Sequence, residues 1–398
     1  MYTPKGSIRI EALFDVAKQV AKQEAKKCTT PEAKSDYVVR YGNIVCVVGL
    51  PGVGKSTLLK MMIYCIFEDK SVKPDTQFLF HVSLKDFNPD EKVTLLECLL
   101  PDVGEWNFSA EENKALVHFL YSNPNVVILI DGWDELYTKQ ASKRLHACQL
   151  DSKQMPEVFV KNLLMGKLLP NAVKFITSRP GQFYELHQDY RNGLVSEVHG
   201  MDKPAKKDLT KQICGEANLE TVEKLLAERP NLDALCSIPV HCIQIVACLH
   251  SSMPSGSEIN SMTDVFIHTL TNYKASDHVR TNMSEREIGQ ELVKLAHLAY
   301  KGLAKRKLVF QLSDFDEVRI NEQTVDIFLH TYVEKSHSLK MRILEGTKRS
   351  YFTHLTWHEF FTAVHLMLFM SQEDFQQLYG HFQRSTLGYG YQIYVWYL

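Results

Sequence analysis

Short apolar runs alternate along the chain with longer stretches whose apolar positions recur every three or four residues. Residues 44–48, 78–82, 126–130, 173–177 and 194–198 are runs rich in Val, Ile, Leu and Phe, the pattern of strands buried on both faces. Helix-length segments separate them, which predicts a parallel sheet with crossover helices, an α/β fold. Ahead of the first run, residues 8–27 space Ile10, Leu13, Phe14, Ala17, Val20 and Ala21 as one face of an amphipathic lead-in helix. After Gly200 no strand pattern is evident. Residues 219–228 and 239–250 read as helices, the Ser-, Gly- and Pro-rich stretch 251–261 as a linker, and helical patterns resume near Thr263. No internal repeat of solenoid length is present.

Composition narrows the classes. In 398 residues, 45 Lys and Arg stand against 47 Asp and Glu, a net charge of −2, so no global field draws the chain onto nucleic acid or an anionic membrane. Nine cysteines are present, no two of them at the two-residue gap of a zinc or redox motif, and they read as reduced, buried thiols. Cys236, His241, Cys242 and Cys248 come nearest to a metal cluster, but in an apolar helical stretch they read as core. The longest apolar candidate, residues 360–370, is interrupted by His365 and too short to span a bilayer. The N-terminus has no apolar signal core, and Glu11, Asp15 and Glu24 argue against a transit peptide, so a cytoplasmic location is expected and the sequons starting at Asn107 and Asn282 read as chance matches.

The chemistry concentrates at three strand ends. Gly49, Leu50, Pro51, Gly52, Val53, Gly54, Lys55, Ser56 and Thr57 follow the first run and open a helical pattern over 58–67. Glycines let successive backbone N–H groups curl around phosphates, and the helix N-terminus adds a favourable dipole. Lys55 should reach the β- and γ-phosphates, and Ser56 should offer its hydroxyl to Mg²⁺. The third run ends in Asp131, a second oxygen ligand for Mg²⁺, followed by Gly132, Trp133, Asp134 and Glu135; one of the two later acids could orient or deprotonate water. The fourth run ends in Thr177, Ser178 and Arg179, where Arg179 could sense a γ-phosphate. These residues predict a P-loop nucleotide site for ATP or ADP.

Residues 49–57, the acids after Gly132 and residues 177–180 together resemble the NACHT class of signal-transduction (STAND) ATPases, as in the nucleotide-binding module of NOD-like receptors. Ser237, Ile238 and Pro239 resemble the proline motif of the family's helical domain, whose proline lies against adenine. Residues 352–361 resemble its winged-helix signature, whose histidine contacts the β-phosphate of ADP; that role carries over to His354, while His358 stands where the family usually has Gln. The resemblance implies a lead-in helix over 1–40, a NACHT core over 41–200, a helical domain over 201–255, a winged-helix domain over 256–370, and a further helical segment or truncated tail over 371–398. It further implies a switch, closed with ADP and self-associating with ATP, that hydrolyses ATP slowly with Mg²⁺ in innate immune or cell-death signalling. No N-terminal effector domain and no repeat sensor after about residue 370 is recognisable, which leaves a minimal or truncated member, or one whose other segments lie outside this sequence, and leaves its upstream ligand and downstream effector unread. Three rivals share parts of the pattern: a constitutive AAA+-like ATPase, a P-loop phosphotransferase, and a winged-helix nucleic-acid-binding NTPase. The last rests on Lys301, Lys305, Arg306 and Lys307, which a solvated helix end also explains.

Overall fold

The structure, a computed structural model, describes residues 13–68, 75–87, 91–100, 108–136, 152–186, 191, 193–253, 259–275, 283–305, 307–321, 326–333, 348–371 and 373. Ile10, the sequons at Asn107 and Asn282, Arg306, residues 254–258 of the linker and nearly all of the tail lie outside them. The chain divides into two compact units, one of residues Met1–Leu50 and Gly54–His199, the other of Pro51–Val53 and Gly200–Leu398.

The first unit is built on five parallel strands, β1 Ile44–Gly49, β2 Phe78–Ser83, β3 Val126–Asp131, β4 Val173–Ser178 and β5 Leu194–Val198. Their order across the sheet is β2-β3-β4-β1-β5. Alternate residues serve opposite faces. Val45, Val47, Val127, Leu129, Val173 and Phe175 pack against Leu59, Met62 and Ile66 of helix Lys55–Phe67 and against Leu13, Ala17 and Val20 of helix Leu13–Ala25. Ile44, Cys46, Val48, Ile128, Ile130 and Ile176 meet Leu95, Leu99, Phe159 and Leu163 on the other side. With both faces covered, each large aliphatic contributes about 1.5 to 3 kcal/mol by leaving water, which is why these strands read as continuous apolar runs. One position breaks the rule. Lys174 is buried in β4 with no hydrogen-bond partner for Nζ, and burial pushes its ammonium down to about 7.

The lead-in region holds two helices, Leu13–Ala25 and Pro31–Tyr41. The second was not foreseen, because its face is mostly polar and its start is fixed locally: Thr30 accepts from Ala33 N, and Pro31 stands at the first helical position.

In the second unit, helices Lys203–Cys214, Glu216–Ala227, Pro230–Leu235 and Pro239–Ser251 enclose Val222, Leu226, Leu232, Cys236, Cys242, Ile245 and Leu249. The expectation of no strands after Gly200 is corrected: β6 Phe310–Gln311, β7 Leu329–Val333 and β8 Lys348–Phe352 form an antiparallel sheet in the order β6-β8-β7. These strands are short and polar, so no periodicity betrays them. Helices Met262–Ala275, Glu285–Ala304 and Leu355–Phe369 complete this winged-helix region around Phe266, Phe310, Phe328, Phe352, Trp357, Phe360 and Phe361. His358 lies within that core, 1% exposed, with its ring 4.7 Å from that of Phe352 and Nε2 2.9 Å from Ala299 O. Among the described residues no helix is long and apolar enough to cross a membrane.

Candidate functional site

Parallel strands align their carboxyl ends, and here the register brings Gly49 of β1, Asp131 of β3 and Ser178 of β4 to one edge of the sheet. Strand β4 lies between β1 and β3, so the residues that end it sit between the glycine loop and the acids.

The loop carries its own conformational demands. Gly54 has φ +101°, a backbone that a side chain would strain, and a methyl placed there would meet nothing within 4 Å. Gly54 caps helix Lys55–Phe67 with no side-chain hydrogen bond, so the first N–H groups of the helix are not taken up by a cap. Lys55 Nζ donates to Gly49 O at 2.9 Å and Leu50 O at 3.0 Å. Burial lowers the pKa of its ammonium, opposed by Asp134 and reinforced by Arg179. Ser56 and Thr57 are exposed on the first turn of the helix. A glycine cradle, a lysine and exposed hydroxyls at a helix start fit a phosphate chain and its divalent cation.

Two long-range hydrogen-bond systems organise the acids. Thr177 Oγ1 donates to Asp131 Oδ1 at 2.6 Å and accepts from Gly132 N at 2.9 Å, fixing the Asp131 carboxylate across β3 and β4. Asp134 is held by Arg179: Oδ1 accepts from Arg179 N at 3.0 Å, and Oδ2 lies 2.8 Å from Arg179 Nε, the two side chains being 8% and 18% exposed. Such a pair orients the guanidinium more than it stabilises the fold. Glu135 turns back over Gly132, whose φ is +78°; a Cβ there would stand 2.7 Å from Glu135 Oε2. Burial, then the Asp134 and Asp131 carboxylates, pushes the Glu135 carboxyl up to about 8, against the pull of Lys85 and Arg179. The sequence reading placed Asp131, Asp134, Glu135 and Arg179 at this edge. It missed the tether through Thr177 and the influence of Lys85, for which a polar residue closing an apolar strand is the only signal.

The second unit has its own members of the predicted set. Pro239 opens helix Pro239–Ser251 directly after Ser237 and Ile238, with Ser237 O accepting from Met201 N at 2.7 Å. His354 caps helix Leu355–Phe369: Nδ1 accepts from Thr356 N at 3.2 Å and lies 2.9 Å from Thr356 Oγ1. Gly52 and Val53 belong to this unit. A Cβ on Gly52, where φ is +73°, would stand 2.3 Å from Val240 Cγ1 and 3.3 Å from both Ile238 Cγ2 and His354 Nε2, so only glycine fits. No group of three metal-ligating side chains occurs among the described residues, and Cys236, His241, Cys242 and Cys248 form no such cluster.

Glycine cradle, strand-end acids and downstream winged helix fit a P-loop NTPase with a NACHT domain and a winged helix domain. A NACHT domain matches residues 43–217 and a NOD2 winged helix domain residues 290–342. The chain is similar to "NACHT, LRR and PYD domains-containing protein 1b allele 3" of Mus musculus, at 23% identity over 86% of this chain and 28% of that protein. Similarity extends to Protein NLRC5 of Ictalurus punctatus, 24% identical over 84% of this chain and 20% of that one. Nucleotide-binding oligomerization domain-containing protein 1 of Homo sapiens is 26% identical over 82% of this chain and 35% of its own length. The chain thus spans about a fifth to a third of the length of these relatives.

Proposed function

We propose that the chain is a nucleotide-operated switch, closed with ADP and self-associating with ATP, which hydrolyses ATP slowly in cytoplasmic innate immune or cell-death signalling. The observation that carries this reading is the arrangement at the sheet edge that also bears the glycine loop, where Thr177 fixes Asp131 and Asp134 holds Arg179. The upward push on the Glu135 carboxyl, from burial and then the Asp134 and Asp131 carboxylates, accords with slow hydrolysis. Glu135 is the water-positioning acid in this account, and Asp134 is the anchor that aims Arg179 at the terminal phosphate.

The remaining residues bind and orient. Backbone N–H groups of Gly49, Gly52, Val53 and Gly54 cradle the phosphates, with Lys55 as counter-charge and Thr57 on the same helix turn. Ser56 and Asp131 would hold Mg²⁺, which would supply positive charge to the phosphates. Pro239 lies against the base, and His354 contacts the β-phosphate of ADP, tying the winged-helix region to the nucleotide. Support for the last point is that His354 Nε2 lies beside Gly52 of the glycine loop.

Three measurements test the reading. The nucleotide content and mass of the purified chain should show ADP in a monomer. Lys55→Ala and Ser56→Ala should lose tight binding of fluorescent nucleotide. His354→Leu should release ADP faster and raise the self-associated fraction in size-exclusion with light scattering. Steady turnover of ATP with rapid product release would instead identify a constitutive ATPase, and wild-type affinity in Lys55→Ala would remove the nucleotide site.

A further inference from the structure

Arg179 stands at the start of helix Pro180–Glu185, which has six residues, too few to be stable on their own. Such a helix is placed by its contacts. Pro180 sets its first position, and Phe183 N donates to Arg179 O at 3.1 Å, which closes the first turn. On the inner side Phe183 and Leu186, both buried, enter the core that also holds Val48, Ile176 and Val195. Burial keeps the helix on the sheet, but it is non-directional and leaves a small rotation about the buried ring unopposed.

A directional tie sits near the other end of the helix. Tyr184 Oη donates to Glu197 Oε1 of β5, and the second carboxylate oxygen, Oε2, lies 3.7 Å from His199 Nε2. Two positions apart on β5, Val195 and Glu197 serve one face of the sheet, the face on which Phe183 packs. Glu197 is in register with Val48, which directly precedes Gly49 of the glycine loop. The helix thus runs between β5 beside that loop and the acids after β3, where Arg179 N donates to Asp134 Oδ1 at 3.0 Å and Arg179 Nε lies 2.8 Å from Asp134 Oδ2. Tyr184 is 38% exposed, as is the Glu197 side chain, so their bond adds little to stability. What it adds is an angle.

We propose that Tyr184 and Glu197 are positioning residues for Arg179: their hydrogen bond fixes the rotation of helix Pro180–Glu185, and with it the point at which the guanidinium meets the terminal phosphate of ATP. The inference rests on the role proposed above for Arg179. A displacement of a charged group by a fraction of an ångström weakens a directional contact to a phosphate oxygen. ADP has no terminal phosphate to lose that contact, so the bond bears on ATP and its hydrolysis and leaves ADP alone. Neither Tyr184 nor Glu197 touches nucleotide in this account.

The full chain, stripped of nucleotide, is loaded with fluorescent ADP and competed with ADP and with ATPγS in the presence of Mg²⁺, and single-turnover hydrolysis of ATP is followed in parallel. Tyr184→Phe is expected to weaken ATPγS about threefold to tenfold and to slow the single turnover by a like factor, with ADP affinity and the thermal melt unchanged. Glu197→Ala should do the same, whereas Glu197→Gln, which keeps an acceptor for the phenol, should retain most of the wild-type preference. The double variant decides how the effect travels: in an Arg179→Ala background Tyr184→Phe should add nothing, because it acts through the missing guanidinium. Wild-type ATPγS affinity and turnover in Tyr184→Phe overturn the proposal. So does a loss shared equally by ADP, or one that persists undiminished without Arg179, since either marks a general loosening of the unit. If Arg179→Ala itself keeps the wild-type ratio of ATPγS to ADP affinity, the role given to Arg179 falls, and this inference falls with it.

Discussion

The carboxyl edge of β3 and β4 and the aromatic core of the winged-helix region each bury a titratable side chain, and the same cause moves the two in opposite directions. At the sheet edge, Glu135 sits behind Asp131 and Asp134, and burial with like charge pushes it up to about 8. In the aromatic core, His358 is enclosed by Phe310 and Phe352, and burial pushes it down to about 4, partly offset by its hydrogen bond to Ala299 O. Both shifts disfavour the charged form. In the first the disfavoured charge sits among other charges that a ligand can rearrange; in the second it sits among rings that nothing rearranges. Desolvation alone does not separate a working acid from a packed one, and what surrounds the buried group does.

The comparison breaks first through packing. Phe361→Ala removes a ring 1% exposed that meets Phe328, Phe352 and Trp357, and should cost about 3 to 5 kcal/mol. Urea unfolding followed by peptide-resolved hydrogen exchange should show the loss confined to residues of the second unit. Next, Asp134→Ala leaves the Arg179 guanidinium without its carboxylate and should cost about 2 to 3 kcal/mol, below a fully buried pair because Arg179 keeps some exposure. Hydrogen exchange of the first unit checks it.

The two titrations give limbs of opposite sign. Between its unfolded value of 4.5 and about 8, Glu135 holds a proton that the unfolded chain has released, so stability falls as pH rises through that window. Glu135→Gln should flatten this limb and raise stability at pH 8 by at least ~1 kcal/mol, while slowing single-turnover hydrolysis. A variant less stable than wild type at pH 8 would refute the protonated-acid assignment. For His358 the sign reverses. The unfolded chain takes up a proton near 6.5 that the folded core refuses until about 4, so stability is full above 6.5 and is lost as pH falls between those values. His358→Gln keeps a donor for Ala299 O and should abolish the acid limb with less than ~1 kcal/mol of change at pH 7. Urea titrations at pH 5 and 7 decide it.

How much of this the sequence discloses follows from the range of each interaction. Strands buried on both faces write themselves as apolar runs, and the glycine loop is contiguous, so both are legible. The division of labour between Asp134 and Glu135 is not. It depends on Arg179, which meets Asp134 across 45 positions of chain, and on a backward turn over Gly132 that no composition encodes. Helix Lys203–Cys214 escapes detection because Lys and Asp crowd it and its buried residues include Thr210 and Cys214. Strand β8, Lys-Arg-Ser-Tyr-Phe, holds its place through pairing with β6 and β7 rather than through any alternation of its own.

The cap that His354 forms on helix Leu355–Phe369 decides more than where the helix starts. Because Nδ1 accepts the backbone hydrogen of Thr356, the neutral ring must carry its own hydrogen on Nε2, and the tautomer is fixed by the fold. When neutral, the imidazole therefore carries a donor at Nε2. Such an N–H is a directional donor, suited to an anionic oxygen.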